Sequence, residues 1–520
     1  MGYITKKLDS TILCLFILIL VVTRIPFMSK NLYDWDSVNY ALALQNFNIN
    51  LSQPQAPGYI FFVAFGKAIN SVFHDPNASF IFISIFFSIL TVILIYYLAK
   101  QMFNREIAVV ASIFLIFNPC FWFYGETTTI YMSEALFASL VAYTSYQLLR
   151  GDSKFIYISS LALGLSGGFR QDLIVFMFPL WFFCFVFSKF NYKQMIKSFI
   201  VLIISVGAWL IPTILLSGGF TSYFSMSHNE IFHFFQIYSI FYGGSLTSQL
   251  SMDNLLLLWT MMEIGVVSLF LVGFYIFLNY RKIKFSNFKN RKIFFLTLWV
   301  LPAFLFYLLL YIAKPGYTLV YLPVFSLISG YLLVNISQEL HKRFSKIPSN
   351  YIVIWILSLF IVLSSLQFVP SSIPEMNYGD IKSMDTVSNY INESLNNFNS
   401  ANTIVFYPLD DNFRKSEYYF PNFNSYSYSY YIISGKRVLQ ASVYKNHKMY
   451  SYFCKNMTIN VNSSTTKVVW LIDYNTEFFY ELKSKINMKE IKLSDGNIVY
   501  YSELRNNTNF TVNHITFIKK

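Results

Sequence analysis

Two aspartates flank a tryptophan in the segment Leu32-Tyr33-Asp34-Trp35-Asp36-Ser37-Val38-Asn39-Tyr40-Ala41-Leu42. Carboxylates this close could take a proton from a hydroxyl or hold a divalent cation. Val38, Ala41, Leu42 and Gln45 recur at helical spacing, so the pair stands at the start of a helix. A structural role competes with the chemical one, because Asp36 or Ser37 is suited to cap that helix by accepting its free first-turn amides.

Three more constellations carry polar chemistry. Gln53-Pro54-Gln55-Ala56-Pro57-Gly58-Tyr59 is a rigid turn that presents Gln55 and Tyr59. Gly168-Phe169-Arg170-Gln171-Asp172 breaks two apolar runs, and its arginine needs an anion: an ion pair with Asp172 or Glu126, or a lipid phosphate that a guanidinium's donors match. Glu126 with Tyr131, and Lys314 with Tyr317, open two further apolar runs; Glu126 could line a pocket or cap its helix, and Lys314 could meet phosphate or snorkel. His228, Glu230 and His233 have ligand types that suit zinc or manganese, so a divalent metal stays open. Their spacing is not HExxH, however, and residues five apart diverge on a helix.

These residues must be positioned by membrane-spanning helices. The 520-residue chain is 55% hydrophobic, 20% aromatic and only 12% charged, where a soluble domain carries about 25% charged residues. Apolar runs fall near 11–28, 78–99, 107–124, 128–148, 155–169, 173–188, 198–217, 259–279, 293–313, 317–335 and 351–369, eleven expected spans. With the N-terminus inside, the cytoplasmic segments collect eighteen lysines and arginines. The outer connections before residue 370 hold Arg24, Lys30, Lys67, Arg170 and Lys314, as retention of cationic loops predicts. Gly58–Phe73 is therefore expected as an interfacial or re-entrant helix in an outer loop at 29–77. Glu134 and Glu263 lie inside apolar runs and must each face a partner or a cavity.

An odd number of spans puts residues 370–520 outside the cytoplasm. This tail reads as an α/β domain, with strands expected at Thr403–Tyr407 and Lys467–Ile472, a hairpin pairing Lys489–Leu493 with Ile498–Ser502, and a helix at Thr476–Ile486. The expected organisation is a catalytic membrane domain at 1–369 and an extracytoplasmic domain at 370–520. The net charge of +13 reflects membrane orientation and lends no support to nucleic-acid binding. The four cysteines show no CxxC spacing and imply neither a disulfide framework nor a zinc knuckle.

An acidic motif after the first span, a Pro-Gly turn into a second interfacial helix, an outer arginine break and an outer C-terminal domain together resemble the GT-C membrane glycosyltransferases. The likeness is nearest to the branch of protein mannosyltransferases and lipid A aminoarabinose transferase, whose loop carries Asp-Glu and then His-Pro-Pro. It implies transfer of a sugar from a polyprenyl phosphate to a glycan, lipid or protein acceptor on the outer face of the plasma membrane, commonly with inversion. The acidic role falls on Asp36, with Asp34 as a second carboxylate because Ser37 replaces the usual Glu; Arg170 and Lys314 would meet the donor phosphate. Trp35, Tyr40, Gln55, Tyr59, Glu126, Tyr131, Gln171, Asp172 and Tyr317 are the pocket candidates that follow. Gln55-Ala56 stands where His-Pro is common, and the tail lacks the Trp-Trp-Asp motif of an oligosaccharyltransferase. A transporter or lipid flippase is the rival reading, since Glu134 and Glu263 could line a path, but no paired internal repeat supports it.

Overall fold

The computed structural model describes residues 2–188, 190–239, 246–279, 291–310, 314–370, 376–408, 413–433, 436–471 and 476–519. The chain forms two compact units. The first comprises Met1–Ser29, Ala56–Glu230 and Leu246–Ile381. Its principal helices are α1 (Gly2–Arg24), then α3 (Ile60–Phe73) to α15 (Ser349–Phe368), while α2 (Trp35–Gln45) belongs to the second unit. Between them run α4 (Pro76–Met102), α5 (Arg105–Ile116), α6 (Pro119–Tyr124), α7 (Tyr131–Leu149), α8 (Phe155–Phe169), α9 (Asp172–Val186) and α10 (Tyr192–Leu216). There follow α11 (Phe220–Tyr238), whose residues from Ile231 onward belong to the second unit, α12 (Leu246–Asn279), α13 (Arg291–Leu309) and α14 (Leu322–Arg343).

Helix covers most of each stretch expected to span. Among the described residues, five segments are long and apolar enough to cross a membrane on length and composition: Lys7–Phe27, Pro76–Met102, Tyr192–Leu216, Arg291–Leu309 and Ser349–Phe368. Ile60–Phe73, Phe155–Phe169 and Asp172–Val186 are shorter apolar helices. The fifteen residues of α8 reach about 22 Å, short of a roughly 30 Å hydrocarbon core. The stretch expected as one span at 107–124 is instead broken. Phe117 and Asn118 leave the helix, the Asn118 carboxamide accepts from the amides of Cys120 and Phe121, and Pro119 fills the first position of α6, where no amide donor is needed.

Small residues bring the helices close. A Cβ on Gly164 would lie 2.4 Å from that of Ser205, so α8 and α10 can pack only because that position is glycine. The close approach lets Trp209 Nε1 donate to the Gly164 carbonyl at 2.9 Å. Among the described residues no disulfide joins the cysteines, and Cys120 and Cys184 are buried.

The second unit comprises Lys30–Gln55, Ile231–Ser245 and Lys382–Lys520. The loop expected at 29–77 thus divides, and its Lys30–Gln55 part groups with the tail instead of with the helical unit. Among the described residues, the elements of the tail are α16 (Tyr378–Asn396), α17 (Phe413–Tyr419), α18 (Glu477–Lys485) and ten strands. These are β1 (Thr403–Pro408), β2 (Asn424–Ile433), β3 (Lys436–Lys445), β4 (Lys448–Cys454), β5 (Met457–Val461), β6 (Lys467–Trp470), β7 (Lys489–Lys492), β8 (Ile498–Glu503), β9 (Thr508–Val512) and β10 (Ile515–Lys519).

Seven strands make one sheet in the order β4-β3-β2-β1-β6-β8-β7, and β5-β10-β9 form a second. The buried centre is β1, parallel to both β2 and β6, and it reads as a continuous apolar run, as strands covered on both faces do. Phe406 packs with Trp470, Tyr428, Phe478 and Phe517 on one face; Val405 and Tyr407 pack with Phe413, Val469 and Val499 on the other. The strand expected at 403–407 is present, the one expected at 467–472 is observed as Lys467–Trp470, and the β7–β8 pair is present. Thr476 caps α18 by accepting from the Phe479 amide.

Candidate functional site

The acidic segment is built on α2. Its cap is Asp34, not Asp36 or Ser37: Asp34 Oδ1 accepts from the Ser37 amide at 2.9 Å and the Ser37 hydroxyl at 2.7 Å, and Ser37 Oγ accepts from the Asp34 amide. Asp36 falls in the first helical turn and is half-buried. A carboxylate there is favoured by the helix dipole while its oxygens are not needed for the cap.

One turn further on, Asn39 and Tyr40 are fully buried. Asn39 Nδ2 donates to Gln55 Oε1 and Gln55 Nε2 donates to Tyr40 Oη, each at 3.1 Å. Gln55, at the Pro-Gly turn, is thereby fixed against the helix that carries Asp36.

Residues from the tail hold this segment, and sequence reasoning missed them. Asp385 accepts from the amides of Lys30 and Asn31, and the Tyr419 hydroxyl accepts from the Leu32 amide at 3.2 Å. Trp35 stacks on Phe413 at 6.3 Å between ring centroids. Arg414, wholly buried, donates through Nε to Asn39 Oδ1 at 2.8 Å and through Nη2 to the carbonyls of Leu51 and Ser52 at 2.9 and 3.0 Å. Its Nη1 pairs with Glu417, and its guanidinium lies 5.7 Å from the Trp35 ring centroid. Burial pushes the Glu417 carboxyl above its usual range, against the pull of Arg414. No spacing signal exposes Arg414, because an arginine in a polar tail has the composition of a surface residue.

The arginine break lies in the first unit. At Arg170 the backbone turns extended (φ −153°, ψ 117°), ending α8, and α9 begins at Asp172. Only 6% of Arg170 is exposed. Nη1 meets Glu134 Oε1 at 2.5 Å, Nη2 meets Asp172 Oδ2 at 3.0 Å, and Nε donates to both Asp172 oxygens at 3.1 Å. Glu134 thus has the partner its apolar run requires. The guanidinium also lies over Tyr317 at 4.6 Å and Tyr131 at 5.5 Å. The buried Tyr307 ring packs on Tyr317, and Gln171 Nε2 donates to the Pro57 carbonyl at 3.4 Å.

Other expected members separate from this group. Glu126 is not a partner of Arg170; it is buried and accepts from Trp122 Nε1 at 2.7 Å, and the buried Arg24 guanidinium supplies its countercharge. Lys314 precedes the 3₁₀ turn Pro315–Val320 and is half-buried. Tyr59 sits before α3 in the left-handed region (φ 39°). His228 and Glu230 are exposed on α11, while the side chains of His233 and Glu263 lie outside the described residues. Among the described residues no group of His, Cys, Asp and Glu gathers to hold a metal.

Gly316 is where the tyrosine cage depends on a missing side chain, since a Cβ there would fall 2.4 Å from Tyr131 Cγ. Gly316→Ala is expected to push Tyr131 off the guanidinium and cost about 1–3 kcal/mol, as overpacking does. A thermal melt of the purified variant checks this, and an unchanged melting temperature would refute it.

Residues 54–217 match the family described as dolichyl-phosphate-mannose-protein mannosyltransferase. No curated protein sequence matches the chain significantly. Among solved structures, ArnT from Cupriavidus metallidurans bound to undecaprenyl phosphate is similar, with 11% identity, a TM-score of 0.57, and 94% of this chain and 97% of that one covered. The oligosaccharyltransferase of Archaeoglobus fulgidus in its apo form is similar at 13% identity and a TM-score of 0.50, over 76% of this chain and 59% of that one. The family match and the shared fold bear out the resemblance to GT-C membrane glycosyltransferases read from the residues: residues 54–217 fit the mannosyltransferase family, and the chain shares the fold of ArnT.

Proposed function

We propose that the protein transfers a sugar from a polyprenyl-phosphate donor to an acceptor on the extracytoplasmic face of the plasma membrane, with inversion. The observation that carries the reading furthest is Arg170, a nearly buried guanidinium at a helix break whose fork already grips carboxylate. A site that holds planar anions in this way is suited to phosphate. Similarity of fold to a protein crystallised with undecaprenyl phosphate supports the choice of a lipid-linked donor. The distribution of cationic loops supports a cytoplasmic N-terminus and an outer C-terminal domain.

In this reading Asp36 accepts the proton of an acceptor hydroxyl as its oxygen attacks the anomeric carbon. The bond from that carbon to the phosphate oxygen breaks, and polyprenyl phosphate leaves with the electron pair and an added negative charge. Arg170 stabilises that charge, aided by Lys314. Glu134 stays as the buried counterion, while Asp172, whose side chain is 28% exposed, is the carboxylate that gives way to phosphate. Asp34 is committed to the cap of α2, so the proton falls to Asp36 alone. Trp35, Tyr40, Gln55, Tyr59, Tyr131, Gln171 and Tyr317 are the further residues proposed to meet substrate.

The test is to supply a polyprenyl-phosphate sugar of defined anomeric configuration, with a membrane extract as acceptor, to the purified protein in liposomes. The linkage formed is then read by nuclear magnetic resonance. The opposite configuration is expected, and a retained one would contradict the single-displacement mechanism.

A further inference from the structure

We infer that Arg414 of the C-terminal unit is a positioning residue for the Asp36 helix, so that the tail is part of the catalytic apparatus and not only a cover or an acceptor-binding module. The inference rests on the glycosyl-transfer reading above for what α2 does, but its geometry is independent of it. A single guanidinium makes four contacts with Lys30–Gln55: with the Asn39 amide on α2, with the Leu51 and Ser52 carbonyls, and with the ring of Trp35, the residue before Asp36. Glu417 supplies its countercharge from the same helix, α17.

The bond to Asn39 does more than tether. Because Arg414 Nε can only donate, Asn39 must present Oδ1 to it and Nδ2 to Gln55. Gln55 must then accept from Asn39 and turn its own Nε2 to Tyr40. The direction of three hydrogen bonds, and with it the face Gln55 shows beside Asp36, is therefore set by a charge that lies 375 residues away in the chain. Arg414 has no room to serve anything else, being wholly buried, and burying a charge with so many directed bonds fixes geometry more than it adds stability.

Three full-length variants test this. Arg414→Met removes the charge but keeps much of the stem; Arg414→Lys keeps the charge but cannot reach Asn39 and both carbonyls together. Asn39→Asp keeps an acceptor for Arg414 and forces the Gln55 amide to reverse. Purified Arg414→Met that melts as a folded protein should lose kcat on the order of 10²-fold, as a small misplacement of a reacting group does, with the donor KM nearly unchanged. Arg414→Lys should recover part of that loss. Amides of residues 35–45 should exchange with deuterium roughly tenfold faster in Arg414→Met than in the wild type.

Should Arg414→Met fail to fold, Asn39→Asp decides, because its melting temperature should hold while kcat falls. Wild-type kcat in a folded Arg414→Met or in Asn39→Asp, or unchanged exchange across 35–45, would overturn the inference. Absence of transfer by the wild type would overturn the functional reading, and the exchange measurement would still judge whether Arg414 orders α2.

Discussion

Replacing Asp36 by Asn should abolish sugar transfer while leaving the protein folded, with a loss of about 10²–10⁴-fold, the contribution a positioned general base makes. The substitution keeps the size of the side chain and removes only its ability to take a proton. Folding should survive because the cap of α2 is made by Asp34, whose oxygen accepts the Ser37 amide and hydroxyl. The neighbouring change gives the contrast. Asp34→Ala should lower stability by about 1 kcal/mol through loss of the cap. Melting temperature and turnover measured on both variants separate the roles, and equal behaviour of the two would refute the division of labour between these carboxylates.

Arg170→Met should be the most destabilising single change, at about 3–5 kcal/mol, because it strands a buried charge. Glu134 is 1% exposed and has Arg170 within 2.5 Å. Adding Glu134→Gln removes the stranded carboxylate and should restore much of the melting temperature. Turnover should not return, because the neutral pair has nothing to offer a leaving phosphate. Restored turnover in the double variant would make the arginine a purely structural ion-pair partner. The experiment thus divides the two roles that the sequence leaves open for Arg170.

What was legible in the sequence follows from how local the determining forces are. Apolar runs betray helices because lipid demands them over twenty residues at a stretch. The break at Phe117–Asn118 was hidden by the unbroken hydropathy around it, although Asn118-Pro119 is itself a cap followed by a first-turn proline. The β7–β8 hairpin was readable because Ser-Asp-Gly-Asn marks its turn, and Gly496 there takes φ 87°. The β2–β4 meander was not. Ser425-Tyr426-Ser427-Tyr428 looks like polar filler, yet Tyr426 and Tyr428 enter the core on one face while Ser425 and Ser427 are buried on the other.

In the candidate site, Glu134 and Arg170 were each recognisable as charges that needed a partner. That they are each other's partner depends on how α7 packs against α8 and α9, which no local pattern encodes. Arg414 and Asn39 are the extreme case, since nothing near either residue signals the other.

The central claim is tested most directly by incubating the purified wild-type protein with polyprenyl-phosphate sugars labelled in the prenyl chain and measuring release of free polyprenyl phosphate. A panel of sugars and a membrane-extract acceptor would be supplied. The account predicts acceptor-dependent release from at least one donor, and none from the same donor with Asp36→Asn. No release from any donor by folded protein, alongside movement of intact donor across the liposome membrane, would contradict it and identify a lipid transporter instead.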